Sequence, residues 1–161
     1  MKVSYLFAAP VALLAAVPSM AQVMTPADYV KTASASDLYE RQSAQIVLQT
    51  TASPDVRAFA EMMMSAHAQS TADVKAAAMK SKVAAAPPML SPLQAEMIAQ
   101  LRDETSDSRD AAYIAQQKAA HNQALNVQQA YAMDGTVPTL KAAAARIVPI
   151  VQSHIAMLMK M

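Results

Sequence analysis

The chain has no cysteine, no tryptophan, a single glycine, and only five tyrosines and two phenylalanines among its 161 residues. Without cysteine there is no disulfide, no thiolate metal ligand and no cysteine nucleophile. One glycine cannot build a glycine-rich phosphate loop or a Gly-x-Ser-x-Gly nucleophile turn. Charge is sparse and balanced: 13 basic residues face 12 acidic ones, a formal net charge of +1. With no basic cluster, nucleic acid and anionic membranes are poor partners. What remains is rich in alanine and contains 13 methionines, a composition suited to helices rather than sheets.

The first residues read as an export signal. Met1-Lys2 gives a positive start, residues 6–17 are apolar with Pro10 among them, and Ser19-Met20-Ala21 offers a small-x-small cleavage site. Cleavage is expected after Ala21, leaving one domain over 22–161 that is periplasmic or secreted. The apolar run is too short to span a bilayer, and no later stretch is a transmembrane candidate. No cysteine follows the run, which excludes a bacterial lipoprotein anchor.

Helix starts are written plainly. Thr25-Pro26 and Ser53-Pro54 each place a capping hydroxyl before a proline, with Asp28 and Asp55 in the first turns. Ser91-Pro92-Leu93-Gln94 adds a capping-box glutamine. The only glycine, in Asp134-Gly135, is expected to end a helix and turn the chain, and Val137-Pro138 to start the last one. Two prolines in 84–88 mark a linker. The expected helices are α1 (26–51), α2 (54–82), α3 (92–104), α4 (107–133) and α5 (138–160). Short α1–α2 and α4–α5 connections predict two antiparallel hairpins. The fold expected is all-α: a ferritin-like four-helix bundle with α3 as a short extra helix in the crossover.

Counting apolar positions at three- and four-residue steps gives each long helix a core face. In α1 it runs through Val30, Ala33, Asp37, Glu40, Ala44 and Val47. In α2 it runs through Val56, Phe59, Met63, His67, Ser70 and Val74. For α4 the best stripe is Ile114, His121, Leu125, Gln128 and Ala132, with Lys118 less regular; for α5 it is Leu140, Ala144, Ile147, Val151, His154 and Leu158. The only three histidines therefore fall on the inner faces of three different helices, an outcome chance gives roughly one time in ten. At 1.5 Å per residue, Glu40 and His67 lie roughly 18 and 22 Å from the α1–α2 turn, and His121 and His154 roughly 21 and 28 Å from the α4–α5 turn. Pro149, in the helix interior, is expected to kink α5 just before His154. One carboxylate and three imidazoles are thus expected at a similar depth.

Those residues also carry a resemblance. Ser36-Asp37-Leu38-Tyr39-Glu40-Arg41-Gln42-Ser43, the run from Val56-Arg57-Ala58-Phe59 to His67, Asp110-Ala111-Ala112-Tyr113-Ile114 with His121, and Ile147-Val148-Pro149 with His154 resemble exported bacterial ferritin-like proteins. Their domain, domain of unknown function 4142, has no assigned activity. The resemblance runs from about Asp28 to Met159 and implies a ferritin-like bundle outside the cytoplasm. Two positions depart from that family: Ala66 stands where an acid usually precedes the α2 histidine, and Arg109 where a phenylalanine often precedes the α4 aspartate. The first departure weakens any site that needs a carboxylate beside His67.

The chemistry the pattern permits is limited. Ferritin-like di-iron sites use Glu-x-x-His pairs, whereas Met64, Lys118 and Val151 stand three residues before the three histidines. That argues against a conventional ferroxidase or di-iron oxygenase. Glu40, His67, His121 and His154 suit a single transition-metal ion: zinc, copper, iron or manganese. The alternative is a hydrogen-bonded cluster, closed by Glu40 with Tyr113 or Asp110, that sets helix register in a structural or protein-interaction module. A metal-dependent redox enzyme with an open coordination position is a third reading, and the sequence leans away from catalysis. Met62–Met64 and Met157–Met161 offer thioethers for copper, though methionine is also the ordinary gap-filler of helical cores.

Overall fold

Proline sets the start of four of the five helices. The structure is a computed structural model and describes residues 23–161; the expected export signal over 1–21 lies outside them. The helices are α1 (Pro26–Leu48), α2 (Pro54–Lys80), α3 (Pro92–Asp103), α4 (Ser106–Asp134) and α5 (Pro138–Leu158), with no strand among the described residues. Thr25 and Ser53 accept from the amides of Asp28 and Val56, and Ser91 with Gln94 closes a reciprocal capping box. Among the described residues no helix is long and apolar enough to cross a membrane.

Helix ends depart from expectation in instructive ways. Helix α1 stops at Leu48 rather than 51, because Thr51 is turned inward: its hydroxyl donates to Asp110 of α4 at 2.7 Å, and its carbonyl accepts from Arg57 at 2.7 Å. Lys82 ends α2 with φ 55°, in the left-handed region. The amide of Val83 reaches back to Ala78 at 2.9 Å and that of Lys82 to Met79 at 3.1 Å, a Schellman ending with lysine where glycine is favoured. Gly135 has an ordinary φ of −58°, so the only glycine is not there for a left-handed turn. It is there for space: a Cβ would lie 2.5 Å from the Tyr131 carbonyl and 2.6 Å from its ring.

Helices α1 and α2 pack along each other, as do α4 and α5, and α1–α4 and α2–α5 contacts close a ring; α3 rests on α1 and α4. Arg109, the departure noted above, fastens α3. Its guanidinium donates to the carbonyls of Leu101, Arg102 and Glu104 at the end of that helix and to the Thr50 hydroxyl. Gln116 holds the same helix through the Met97 carbonyl and Gln100.

The apolar core comes in two separate clusters. One includes Tyr29, Val30, Ala33, Val74, Tyr131, Leu140 and Val151. The other includes Tyr39, Ala44, Phe59, Met63, Leu101, Tyr113 and Leu158. Every long helix passes from one to the other, and each places polar residues in the interval: Asp37 and Glu40, His67, Gln117 and His121, and His154, all buried. A polar layer therefore crosses the core at mid-depth.

The expected faces of α1 and α5 are buried throughout, and that of α2 with Ser70 half-buried. Helix α4 is different. Ile114, Leu125 and Ala132 are only half-buried, while Tyr113, Gln116, Gln117 and Tyr131 turn inward with His121 and Gln128. Partners explain the rotation: Gln116 accepts from Tyr39, Gln117 donates to Ser43, and Gln128 accepts from Tyr29. A bonded amide carries little burial penalty, so hydropathy alone misplaces this face.

Candidate metal centre

Pro149 does not keep His154 from the layer. Helix α5 runs through it, and His154 Nδ1 lies 3.3 Å from His121 Nε2. His67 completes the group, its ring centre 5.6 Å from that of His121 and 5.8 Å from that of His154. One ring nitrogen from each of the three lies within 4.8 Å of the others. Glu40 stands elsewhere: its Oε1 is 3.6 Å from His121 Nδ1, the nitrogen on the opposite side of that ring from the cluster.

Hydrogen bonds settle which nitrogens face inward. His121 Nδ1 lies 3.0 Å from the Gln117 carbonyl, which can only accept, so Nδ1 carries the proton and Nε2 presents a lone pair. His67 Nδ1 is 2.8 Å from Asp37 Oδ1, and Thr71 donates to the other Asp37 oxygen at 3.0 Å. His67 Nε2 has no hydrogen-bond partner although it is buried. A histidine held by a carboxylate at one nitrogen and free at the other is the usual arrangement behind a metal ligand.

The residue that holds His67 was visible in the sequence only as a polar interruption of the α1 stripe. Ala66 precedes His67, and Asp37, one helix away, supplies the carboxylate. Two acids three residues apart on one inner face, Asp37 and Glu40, were the available signal. Asp110 does not serve the imidazoles; it ties α4 to the α1–α2 turn through Thr51. The Tyr113 hydroxyl, also buried, has no partner. Met63 is fully buried in the cluster with Phe59, and Met62, Met64 and Met157 pack partly buried against it.

Burial sets the charge states of His121 and His154. It lowers His121 to about 3, helped by the charges of His67 and His154, and lowers His154 to about 4, helped by His67. Both are neutral at pH 7, the form that binds metals. For His67 burial is again the largest influence and pulls downward. The Asp37 hydrogen bond with the charges of Glu40 and Asp37 outweighs it, and the net shift is upward. Desolvation lifts Glu40 to about 7 against the opposing pull of His67 and Gln117. Neither Glu40 oxygen makes a hydrogen bond of good geometry.

A cavity of ≈140 Å³ leads from the surface to this layer, with Asp37, His67 and His154 in its lining. Fold and site together define a class: an all-helical protein with three imidazoles converging in its core. Over residues 10–161 the chain matches the family described as Domain of unknown function (DUF4142), and it belongs to that family. No curated protein and no solved structure matches it.

Proposed function

We propose that this is an exported protein, built as a ferritin-like four-helix bundle with α3 appended, that binds one transition-metal ion through His67, His121 and His154. One observation carries the reading: three buried imidazoles converge with a nitrogen of each within 4.8 Å of the others, His121 Nε2 and His154 Nδ1 at a hydrogen-bonding 3.3 Å. Metal–nitrogen bonds of about 2.0–2.1 Å at the tetrahedral angle place two ligand nitrogens roughly 3.3–3.4 Å apart. The third ligand is His67, whose Nε2 is buried without a hydrogen-bond partner.

A hydrogen-bonded cluster that only sets register explains less. Such a cluster should satisfy its own polar atoms, and here His67 Nε2 and both Glu40 oxygens are left over. Asp37 fits as the partner behind His67, orienting its ring, while the Gln117 carbonyl holds His121. Three nitrogen ligands suit zinc or copper, with iron and manganese as the further candidates. Asp37 places a carboxylate directly behind the ligand set.

Thermal melts of the loaded protein with and without chelator test this. At free metal a hundredfold above its dissociation constant, binding adds about 2.7 kcal/mol, roughly 8–10 °C for a chain of this size. An unchanged melting temperature after metal addition would leave the histidines as core architecture.

A further inference from the structure

Three imidazoles leave a tetrahedral ion one position short. The cavity described above meets the cluster on the side of His67 and His154. Most of its wall surface is apolar, from Ala33, Ala66, Ala124, Ile147 and Val151, with Ser36, Ser70 and Gln128 between them, and Ile150, 46 % exposed, stands among the lining residues on the solvent side. Asp37 and Asp73 also line it, and among the described residues no lysine or arginine does.

Size and charge narrow the occupant. An apolar cavity of about 150 Å³ accommodates benzene, so ≈140 Å³ holds a single ring. The Asp37 carboxylate, behind His67 and in the cavity lining, already offsets part of a divalent charge, so an incoming anion would sit close to Asp37 at low dielectric. An uncharged donor meets neither penalty.

We propose that this cavity binds a small uncharged coordinating molecule, of the size and class of a single-ring nitrogen heterocycle, at the metal's remaining position. It rests on the metal reading and extends it from storage of an ion to recognition of a ligand. Ala66, half-buried and in the cavity lining, controls the space: a larger side chain there fills the cavity.

The test is an absorption titration of the full exported chain loaded with Co(II), with pyridine as probe and benzoate as an anion of similar size. Pyridine should shift the cobalt bands saturably with cobalt content unchanged, and benzoate should bind at least tenfold more weakly. Ala66→Phe should keep cobalt and lose the pyridine response at least tenfold; Ile150→Trp replaces it if that variant does not fold. Cobalt uptake with no pyridine response, or an undiminished response in the filled-cavity variant, overturns the ligand site and leaves the metal site standing. A failure to take up cobalt overturns both.

Discussion

Stability of the metal-free protein should peak near pH 6.5, because the buried layer holds groups with opposed proton affinities. His121 and His154 titrate at about 3 and about 4 in the folded chain, mainly through burial, against 6.5 when free. Between pH 4.5 and 6.5 the unfolded chain therefore takes up two protons that the folded chain refuses, and stability drops as pH drops. Glu40 acts in the other direction. Raised from 4.5 to about 7, it keeps a proton in the folded chain that the unfolded chain releases, so its contribution is present at low pH and lost as pH rises. Two protons against one leave a net slope of about 1.4 kcal/mol per pH unit, or roughly 2.7 kcal/mol across the window. Above 6.5 the histidine terms are constant, while Glu40 and the raised His67 both cost stability as pH rises. Urea melts of chelator-treated protein at half-unit pH steps read the slope directly. His154→Gln removes one histidine and should flatten it to near zero. A profile that is flat or descending from pH 4.5 to 6.5 in the wild type would refute the charge states assigned here.

Three further outcomes are expected. Asp37→Asn should weaken metal binding about 10–100-fold in a competition titration while the helical circular dichroism stays intact, since it removes the carboxylate behind His67. Lys82→Gly should raise stability by about 0.5–1 kcal/mol in urea melts, because it relieves a left-handed backbone at an exposed helix end. Gly135→Ala should lower it by about 1–3 kcal/mol, as a Cβ there meets the Tyr131 backbone; a neutral result would mean the turn yields freely.

Much of the helix map was legible because this chain marks its helix starts with hydroxyl–proline pairs, whose fixed φ and capping bonds act locally. The three histidines were legible for a related reason: a polar residue on an otherwise apolar stripe is expensive and stands out. The face of α4 was not legible, since Gln117 and Tyr131 gain their places through a bond and ring stacking to α1, and Tyr113 through packing on Phe59, which hydropathy does not register. Nor was the pairing of Asp37 with His67. Two acids share the α1 face, and only the relative height of α1 and α2 decides which reaches the ring. Glycine at 135 ends α4 as expected, but its role is close approach to Tyr131 rather than backbone freedom.

The most direct test of the metal site is the metal content of the protein, purified without chelator or affinity tag, beside the His67→Ala/His121→Ala double variant. The account predicts close to one transition-metal ion per chain, absent from the variant. A wild-type protein that carries no metal and takes up none on titration would contradict it.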